Sequence, residues 1–183
     1  MSSGRLVYVM GPSGAGKDSV LNEARRQLGG SPTAFAHRYI TRPADAGGEN
    51  HVTLSEEEFA CRRDRSLFLF HWHSHGLFYG AGIELLDWMY RGFTVVLNGS
   101  REYWPQARER IPNIEGVLIT ARSEVLRQRL QDRGRESDAA IKERIRRNTA
   151  LESDMPGVRV IDNSGDLSHA TSELVDFLRK PAP

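Results

Sequence analysis

Gly11-Pro12-Ser13-Gly14-Ala15-Gly16-Lys17-Asp18 lies between the apolar run Leu6-Val7-Tyr8-Val9-Met10 and a stretch of helical periodicity that begins near Lys17. The pattern is G-x-x-x-x-G-K between a strand and a helix, the order that a phosphate-binding loop requires. Glycines let the backbone turn at positive φ and bring its N–H groups up to a polyphosphate, while the helix behind adds its N-terminal dipole and Lys17 a mobile charge. The same letters can arise by chance in a tight turn before a surface helix, but the flanking strand and helix favour the phosphate loop. Asp18 stands where a Ser or Thr that ligates magnesium normally follows the lysine. A carboxylate is also a hard oxygen ligand, so the departure changes how a metal is held without abolishing the site.

Around this loop, 183 residues at 39% hydrophobic predict one globular domain over 1–183 with an adequate core and room for a small insertion. Lys and Arg number 25 against 24 Asp and Glu, a formal net charge of +1, which speaks against a general nucleic-acid or acidic-membrane binder. Any cationic site must therefore be local. The apolar run before the loop is too short for a signal peptide and no run approaches a membrane span, so the expectation is a soluble cytoplasmic protein. Cys61 is the only cysteine, which excludes an intrachain disulfide and a cysteine zinc cluster.

Apolar strands are predicted over 5–10, 93–97, 114–120 and 158–163, and helices over 17–28, 83–90, 102–110, 123–133, 138–151 and 167–178. This is an α/β chain whose strands form a parallel sheet flanked by helices, with ligands bound at the carboxyl ends of the strands. Residues 35–80 have a different rhythm and predict a mostly antiparallel insertion. In it, 37–42 reads as a strand with Arg38, Ile40 and Arg42 on one face. Isolated charges on a strand are usually solvated, but after a phosphate loop a bidentate phosphate clamp is the better reading. Ser55 and Glu58 read as the capping box of a short helix to about Asp64. His71, His73 and His75 alternate; a zinc site lacks further ligands, and polar lining of a substrate pocket is the preferred reading.

Arg133-Gly134-Arg135 is a charged turn between helices, and the helix after it displays Arg144, Arg146 and Arg147. An arginine-studded helix is by default a solvated face. Here 133–147 reads as a lid, because phosphoryl transfer uses mobile positive charge that closes over the transferring group. No Ser-His-Asp arrangement is evident. None is needed if the acceptor is a phosphate oxygen, already anionic near neutrality.

The loop at 11–17, Thr41-Arg42-Pro43, Gly48-Glu49, Tyr79-Gly80, the strand into Asn98, and Arg129-Leu130 through Arg133-Gly134 to Ile141 resemble guanylate kinase along nearly the whole chain. That resemblance implies a P-loop nucleoside-monophosphate-kinase-like fold with an inserted substrate-binding subdomain and an arginine-rich lid. The base-reading positions differ: the family's guanine-binding Glu falls on Phe70, its Asp on Ser100, its Ser on Arg38, and its second phosphate-binding Arg near Asp45. The combination His37-Arg38-Tyr39-Ile40-Thr41-Arg42, Glu49-Asn50-His51, Trp72, Gly76-Leu77, Tyr79-Gly80, Asn98-Gly99-Ser100-Arg101 and Arg133-Gly134-Arg135-Glu136 is similar instead to the ribose 1,5-bisphosphate phosphokinases of bacterial phosphonate breakdown, which also carry Asp after the loop lysine.

The resemblance implies ATP and Mg²⁺ as cofactors and a small sugar bisphosphate as acceptor, with 5-phosphoribosyl 1-diphosphate as product and no nucleic-acid or membrane partner; the oligomeric state stays open. It assigns Gly11, Pro12, Ser13, Gly14, Ala15, Gly16, Lys17, Asp18 and Ser19 to the nucleotide, with Asp18 as the metal ligand. Asp162 and Asn163 lie towards the adenine. Arg38, Arg42, His51, Tyr79, Asn98, Ser100 and Arg101 fall to the acceptor, and Lys17, Arg133, Arg135 and Arg144 to catalysis. Two other readings remain: a guanylate kinase with altered base contacts, and a non-catalytic binding module, which the intact loop disfavours.

Overall fold

In the computed structural model, which describes residues 4–44, 51–132, 134, 137–152 and 155–180 and, within 149–152, the backbone alone, strand β1 (Arg5–Met10) is buried along its whole length. The chain then forms α1 (Lys17–Gln27), β2 (Thr33–Phe35), β3 (Arg38–Ile40), β4 (His51–Thr53), α2 (Glu56–Asp64), β5 (Phe68–Ser74), β6 (Leu77–Gly82) and α3 (Leu85–Tyr90). The second half runs β7 (Thr94–Asn98), α4 (Trp104–Arg110), β8 (Glu115–Thr120), α5 (Ser123–Asp132), α6 (Asp138–Glu152), β9 (Arg159–Asp162) and α7 (Leu167–Arg179). Five strands pair in the order β2-β7-β1-β8-β9, every pair parallel. Four more pair as β4-β3-β6-β5, with β3 and β4 parallel and the other pairs antiparallel.

A strand covered on both faces must be apolar on both, and β1 is. Val7 and Val9 enter one cluster with Val20, Leu21 and Ala24 of α1 and Ala170, Leu174 and Val175 of α7. Leu6, Tyr8 and Met10 enter the opposite one, with Leu69, Phe70 and Trp72 of β5, Leu85 of α3 and Trp104 of α4. The four-stranded sheet therefore leans on the face of the parallel sheet that Tyr8 occupies, and the cleft between them opens at the end where β1 and β7 finish. Arg5 begins β1 and is only 6% exposed. It pairs with Glu115 at 3.0 Å and donates to the carbonyls of Phe177 and Leu178, so one buried cation satisfies the carbonyl end of α7.

Ser55 caps α2 as expected, its Oγ accepting from the Glu58 amide at 3.1 Å. Two strands escape the sequence reading. β2 and β4 have three residues each, too few to show a period, and exist because a neighbouring strand offers hydrogen bonds. β3 ends at Ile40, so Arg42 lies in the bend beyond it rather than on a strand face shared with Arg38. Helix α4 starts at Trp104 instead of 102, with Pro105 in its first turn. The histidine expectation is overturned: Phe70 and Trp72 are the β5 residues packed inward, which turns His71 and His73 outward, and His75 sits in the turn at φ 50°. All three are exposed. No helix among the described residues is long and apolar enough to cross a membrane.

Candidate active site

The loop after β1 turns through Gly14 at φ 91° and Gly16 at φ 79°, both in the left-handed region where a side chain is strained. Beside it, Asn163 at the end of β9 donates from Nδ2 to the Ala15 carbonyl at 2.7 Å. Arg129 of α5 donates to the carbonyls of Gly14 and Ala15, each at 3.3 Å, and to that of Asn163 at 2.9 Å. Carbonyls drawn to these donors turn the N–H edge of the loop towards an anion, apart from the Ala15 amide, which donates to the Pro12 carbonyl at 3.2 Å. Lys17 reaches from the first turn of α1 to Asn98 at the end of β7, its Nζ 2.5 Å from Oδ1 and 3.4 Å from Asp18 Oδ1. Asn98 closes the group by donating from Nδ2 to Asp18 Oδ1 at 3.2 Å. Burial in the cleft pushes the Asp18 carboxyl up, but Lys17, Arg38 and the Asn98 hydrogen bond outweigh it and hold the group below its ordinary value. It is a carboxylate at neutral pH. Ser13 and Ser19 are exposed at the mouth of the loop and on α1.

Facing the loop is a wall of rings. Trp72 of β5 and Tyr79 of β6 are cross-strand partners, stacked at 5.6 Å and 4°, and Tyr103 stacks with Trp72 at 5.7 Å and 29°. The Arg38 guanidinium lies over both rings, 5.1 Å from the centroid of Tyr79 and 5.9 Å from that of Trp72. A guanidinium over two π-faces keeps its charge and its in-plane donors while losing freedom, which prepares it for an anion. Phe70, on the position that the guanylate kinase resemblance gives to a guanine-reading Glu, is fully buried against Tyr8 and Tyr103. Arg42 and His51 bind each other at 3.2 Å, with His51 Nε2 also 3.2 Å from the Arg42 carbonyl. Arginine only donates and a carbonyl only accepts, so the neutral ring carries its hydrogen on Nε2. Arg42 Nε is buried with no hydrogen-bond partner among the described residues.

At the end of β7, the Tyr8 hydroxyl donates to the Ser100 carbonyl and accepts from the Ser100 amide, both at 2.9 Å. Gly99 passes so close to that ring that a Cβ there would sit 1.9 Å from Cζ. This fixes the path of residues 98–101 and delivers Arg101, whose Nη2 donates to Asn148 of α6 at 2.6 Å. Arg144 is half-buried on the same helix, whereas Arg146 and Arg147 are exposed and paired with Glu143.

The sequence-chosen residues thus fall into the loop group with Lys17, Asp18, Asn98 and Asn163, the wall with Arg38 and Tyr79, the Arg42–His51 pair beside β3, and Arg101 under α6. Arg133 and Arg135 lie outside the described residues. Asp162 accepts from the Ser164 amide at 2.9 Å in the turn after β9. Sequence reasoning assigned no role to Arg129, Tyr8, Tyr103 or Asn148. Two of these carry a signal: Tyr8 is the one polar side chain in the apolar run 6–10 and needs a partner for its hydroxyl, and Arg129 stands beside the inward Leu126 and Leu130.

No group of three or more His, Cys, Asp or Glu side chains able to hold a metal occurs among the described residues. That suits magnesium in a kinase, which takes one or two carboxylates, several waters and the substrate phosphates. An ionised Asp18 with its carboxyl 57% exposed, next to the loop, fits that donor set.

A loop of this kind on a parallel sheet, with a four-stranded sheet opposite, defines a P-loop kinase of guanylate kinase fold. The guanylate kinase of Anaplasma phagocytophilum superposes with a TM-score of 0.76 over 97% of this chain and 86% of that one, at 20% identity. No protein-family model matches the chain. It is 48% identical over 179 residues to the ribose 1,5-bisphosphate phosphokinase PhnN of Thiobacillus denitrificans, covering 97% of this chain and 94% of that protein. The PhnN of Psychromonas ingrahamii is 46% identical over 182 residues, covering 99% and 93%. The chain belongs to the ribose 1,5-bisphosphate phosphokinase family.

Proposed function

We propose that the chain transfers the γ-phosphoryl group of ATP to ribose 1,5-bisphosphate, giving ADP and 5-phosphoribosyl 1-diphosphate in phosphonate breakdown, in the cytoplasm. The observation that carries this reading is near-half identity, along almost the whole chain, to relatives named for that acceptor. The cleft supports it chemically. Where the guanylate kinase resemblance expects a guanine-reading Glu and Asp, this chain has Phe70, fully buried, and Ser100, and each base group buried unpaired would cost about 1–3 kcal/mol. Where a sugar bisphosphate needs cations, Arg38, Arg42 and Arg101 are at hand.

Loop N–H groups of residues 13–17 hold the donor phosphates, and Lys17 follows the charge as it moves from the γ-phosphoryl group to the ADP leaving oxygen. An anionic phosphate oxygen of the acceptor bonds to the γ-phosphorus as the bond to ADP breaks, and no general base takes part. Arg38 and Arg101 bind the acceptor phosphates, with Arg42, His51 and Tyr79 supporting them and Ser100 orienting the ribose. Arg133, Arg135 and Arg144 close from a lid over 133–147, and residues 35–80 form the acceptor insertion of a single domain. Asp18 would hold Mg²⁺ directly or through water, and the ion would supply charge neutralisation to the donor phosphates.

Product identification tests the reading. Incubation with ATP and ribose 1,5-bisphosphate should yield 5-phosphoribosyl 1-diphosphate with matching ADP. Faster turnover of guanylate would favour the altered guanylate kinase, and turnover of neither would favour a binding module.

A further inference from the structure

P-loop nucleotide-binding sites ordinarily divide the metal between a neutral hydroxyl, on the Ser or Thr after the loop lysine, and a carboxylate at the end of a neighbouring strand. Both places are occupied here by groups that can reach the same ion, but the charge is on the other one. Asp18 follows Lys17, and the neutral Asn98 ends β7, which lies beside β1 with Asn98 opposite Val9. We propose that the carboxylate of the metal site has been exchanged between strand and loop, with Asp18 carrying the charge and Asn98 acting as the positioning residue that the exchange requires.

The geometry explains why residue 98 has to be an amide. Its Oδ1 accepts from Lys17 Nζ at 2.5 Å while its Nδ2 donates to Asp18 Oδ1 at 3.2 Å, so one side chain serves a cation and an anion at once. An aspartate at 98 cannot donate, and it would set two carboxylates about 3 Å apart, a like-charge pair of which one is driven to protonate. A serine at 18 beside Asn98 would leave the site with no carboxylate at all. Each substitution alone therefore damages the site and the two together restore the ordinary division. A small cavity of about 40 Å³ opens beside the pair, lined by the polar Asp18, Asn22, Arg25 and Asn98 and by the apolar Leu21, Phe35, Ala36 and Val96. At about 10–15 Å³ per water centre it has room for roughly three or four waters, and magnesium keeps several of its own.

This inference rests on reading the site as that of a nucleotide kinase, and its test is made without the acceptor so that the two can fail separately. Mn²⁺ stands in for Mg²⁺, and its binding to the full chain with ADP is followed by electron paramagnetic resonance for wild type, Asp18→Ser, Asn98→Asp and the double variant; ADP affinity without metal is the control. Each single variant should weaken Mn²⁺ binding about tenfold or more, beyond whatever change its metal-free ADP affinity shows, and the double variant should regain most of the loss in a strongly non-additive cycle. Wild-type Mn²⁺ binding in Asp18→Ser, or a double variant as weak as the product of the single losses, would overturn the exchange. Should the double variant fail to fold by circular dichroism, the isosteric Asp18→Asn decides: a selective loss of metal-dependent affinity supports the proposal and an unchanged titration overturns it. Failure of the acceptor assignment would appear instead as a wild-type protein that binds Mn²⁺ and ADP yet makes no 5-phosphoribosyl 1-diphosphate.

Discussion

On one side of the cleft, Arg129 and Asn163 hold the loop by its carbonyls and Lys17 is anchored on Asn98; on the other, Arg38 rests on Trp72 and Tyr79, which are themselves cross-strand partners. The first wall is backbone chemistry, specified by glycines and a lysine within eight residues. The second is side-chain chemistry, assembled from strands β3, β5 and β6 and the turn before α4. The loop wall can therefore serve any nucleoside triphosphate, and on the proposed reading the aromatic wall chooses what is placed opposite. Substitutions on the two walls should separate in kinetics, one touching turnover and the donor, the other the acceptor.

The largest expected effect is on the loop wall. Lys17→Ala should lower kcat by roughly 10²–10³-fold, the usual loss when one donor to developing transition-state charge is removed; steady-state ADP release at saturating substrates measures it. A change confined to KM would break the division, because Lys17 would then be binding the ground state alone. Next comes the aromatic wall. Arg38→Ala should raise the acceptor KM by about 10–100-fold, the worth of one lost charge-assisted bond of about 1.5–3 kcal/mol, and leave the KM for ATP in place. Arg38→Lys should not rescue it, since an ammonium neither lies flat on two rings nor presents a fork. Equal rises in both KM values would remove Arg38 from the acceptor side.

Arg129 sharpens the comparison, because it belongs to the loop wall without touching substrate. Arg129→Met keeps the stem that packs on α5 and gives up the bonds to the carbonyls of Gly14, Ala15 and Asn163. We expect the KM for ATP to rise about tenfold while that of the acceptor holds, matching a loss of about 1.4 kcal/mol in loop order. The melting temperature should fall by about 2–4 °C for each kcal/mol of stability lost in a chain of this size. A drop in melting temperature with unchanged ATP kinetics would make Arg129 purely structural.

The same contrast explains what could be read from the letters. Residues 11–18 announce their strand, turn and helix because every contact that shapes them is local or backbone, and the buried runs at β7 and β8 show as apolar blocks. Arg38 stood out in the sequence as a candidate phosphate ligand only by its company. Its seat on Trp72 and Tyr79 was not legible, since it depends on the register of β5 against β6 and of β6 against β3. Tyr8 and Arg129 act across 92 and 115 positions, on Ser100 and Gly14, and no local period encodes that. β2 and β4 were missed for the same reason, as three-residue strands made by their neighbours. The histidines at 71 and 73 were misread because alternation tells which residues share a face without telling which face is inside.

That last error gives the smallest and cleanest test of the wall itself. If Trp72 faces the cleft, His71 must face away, towards the cations Arg63 and Arg110. Partial burial first, and then those two arginines, lower its imidazole below the ordinary value. Being a base with a depressed folded pKa, it binds its proton less readily folded than unfolded. The folded state therefore begins to lose stability as pH falls through the unfolded value near 6.5 and carries the full penalty only below the folded one. Histidine ring resonances followed by NMR against pH should place His71 below 6.5, with Arg63→Ala and Arg110→Ala each moving it upward. Ligand binding in the cleft should leave that titration where it is. A His71 resonance that answered to the acceptor sugar instead would put residue 71 inside, turn Trp72 outward, and dismantle the aromatic seat on which Arg38 has been placed.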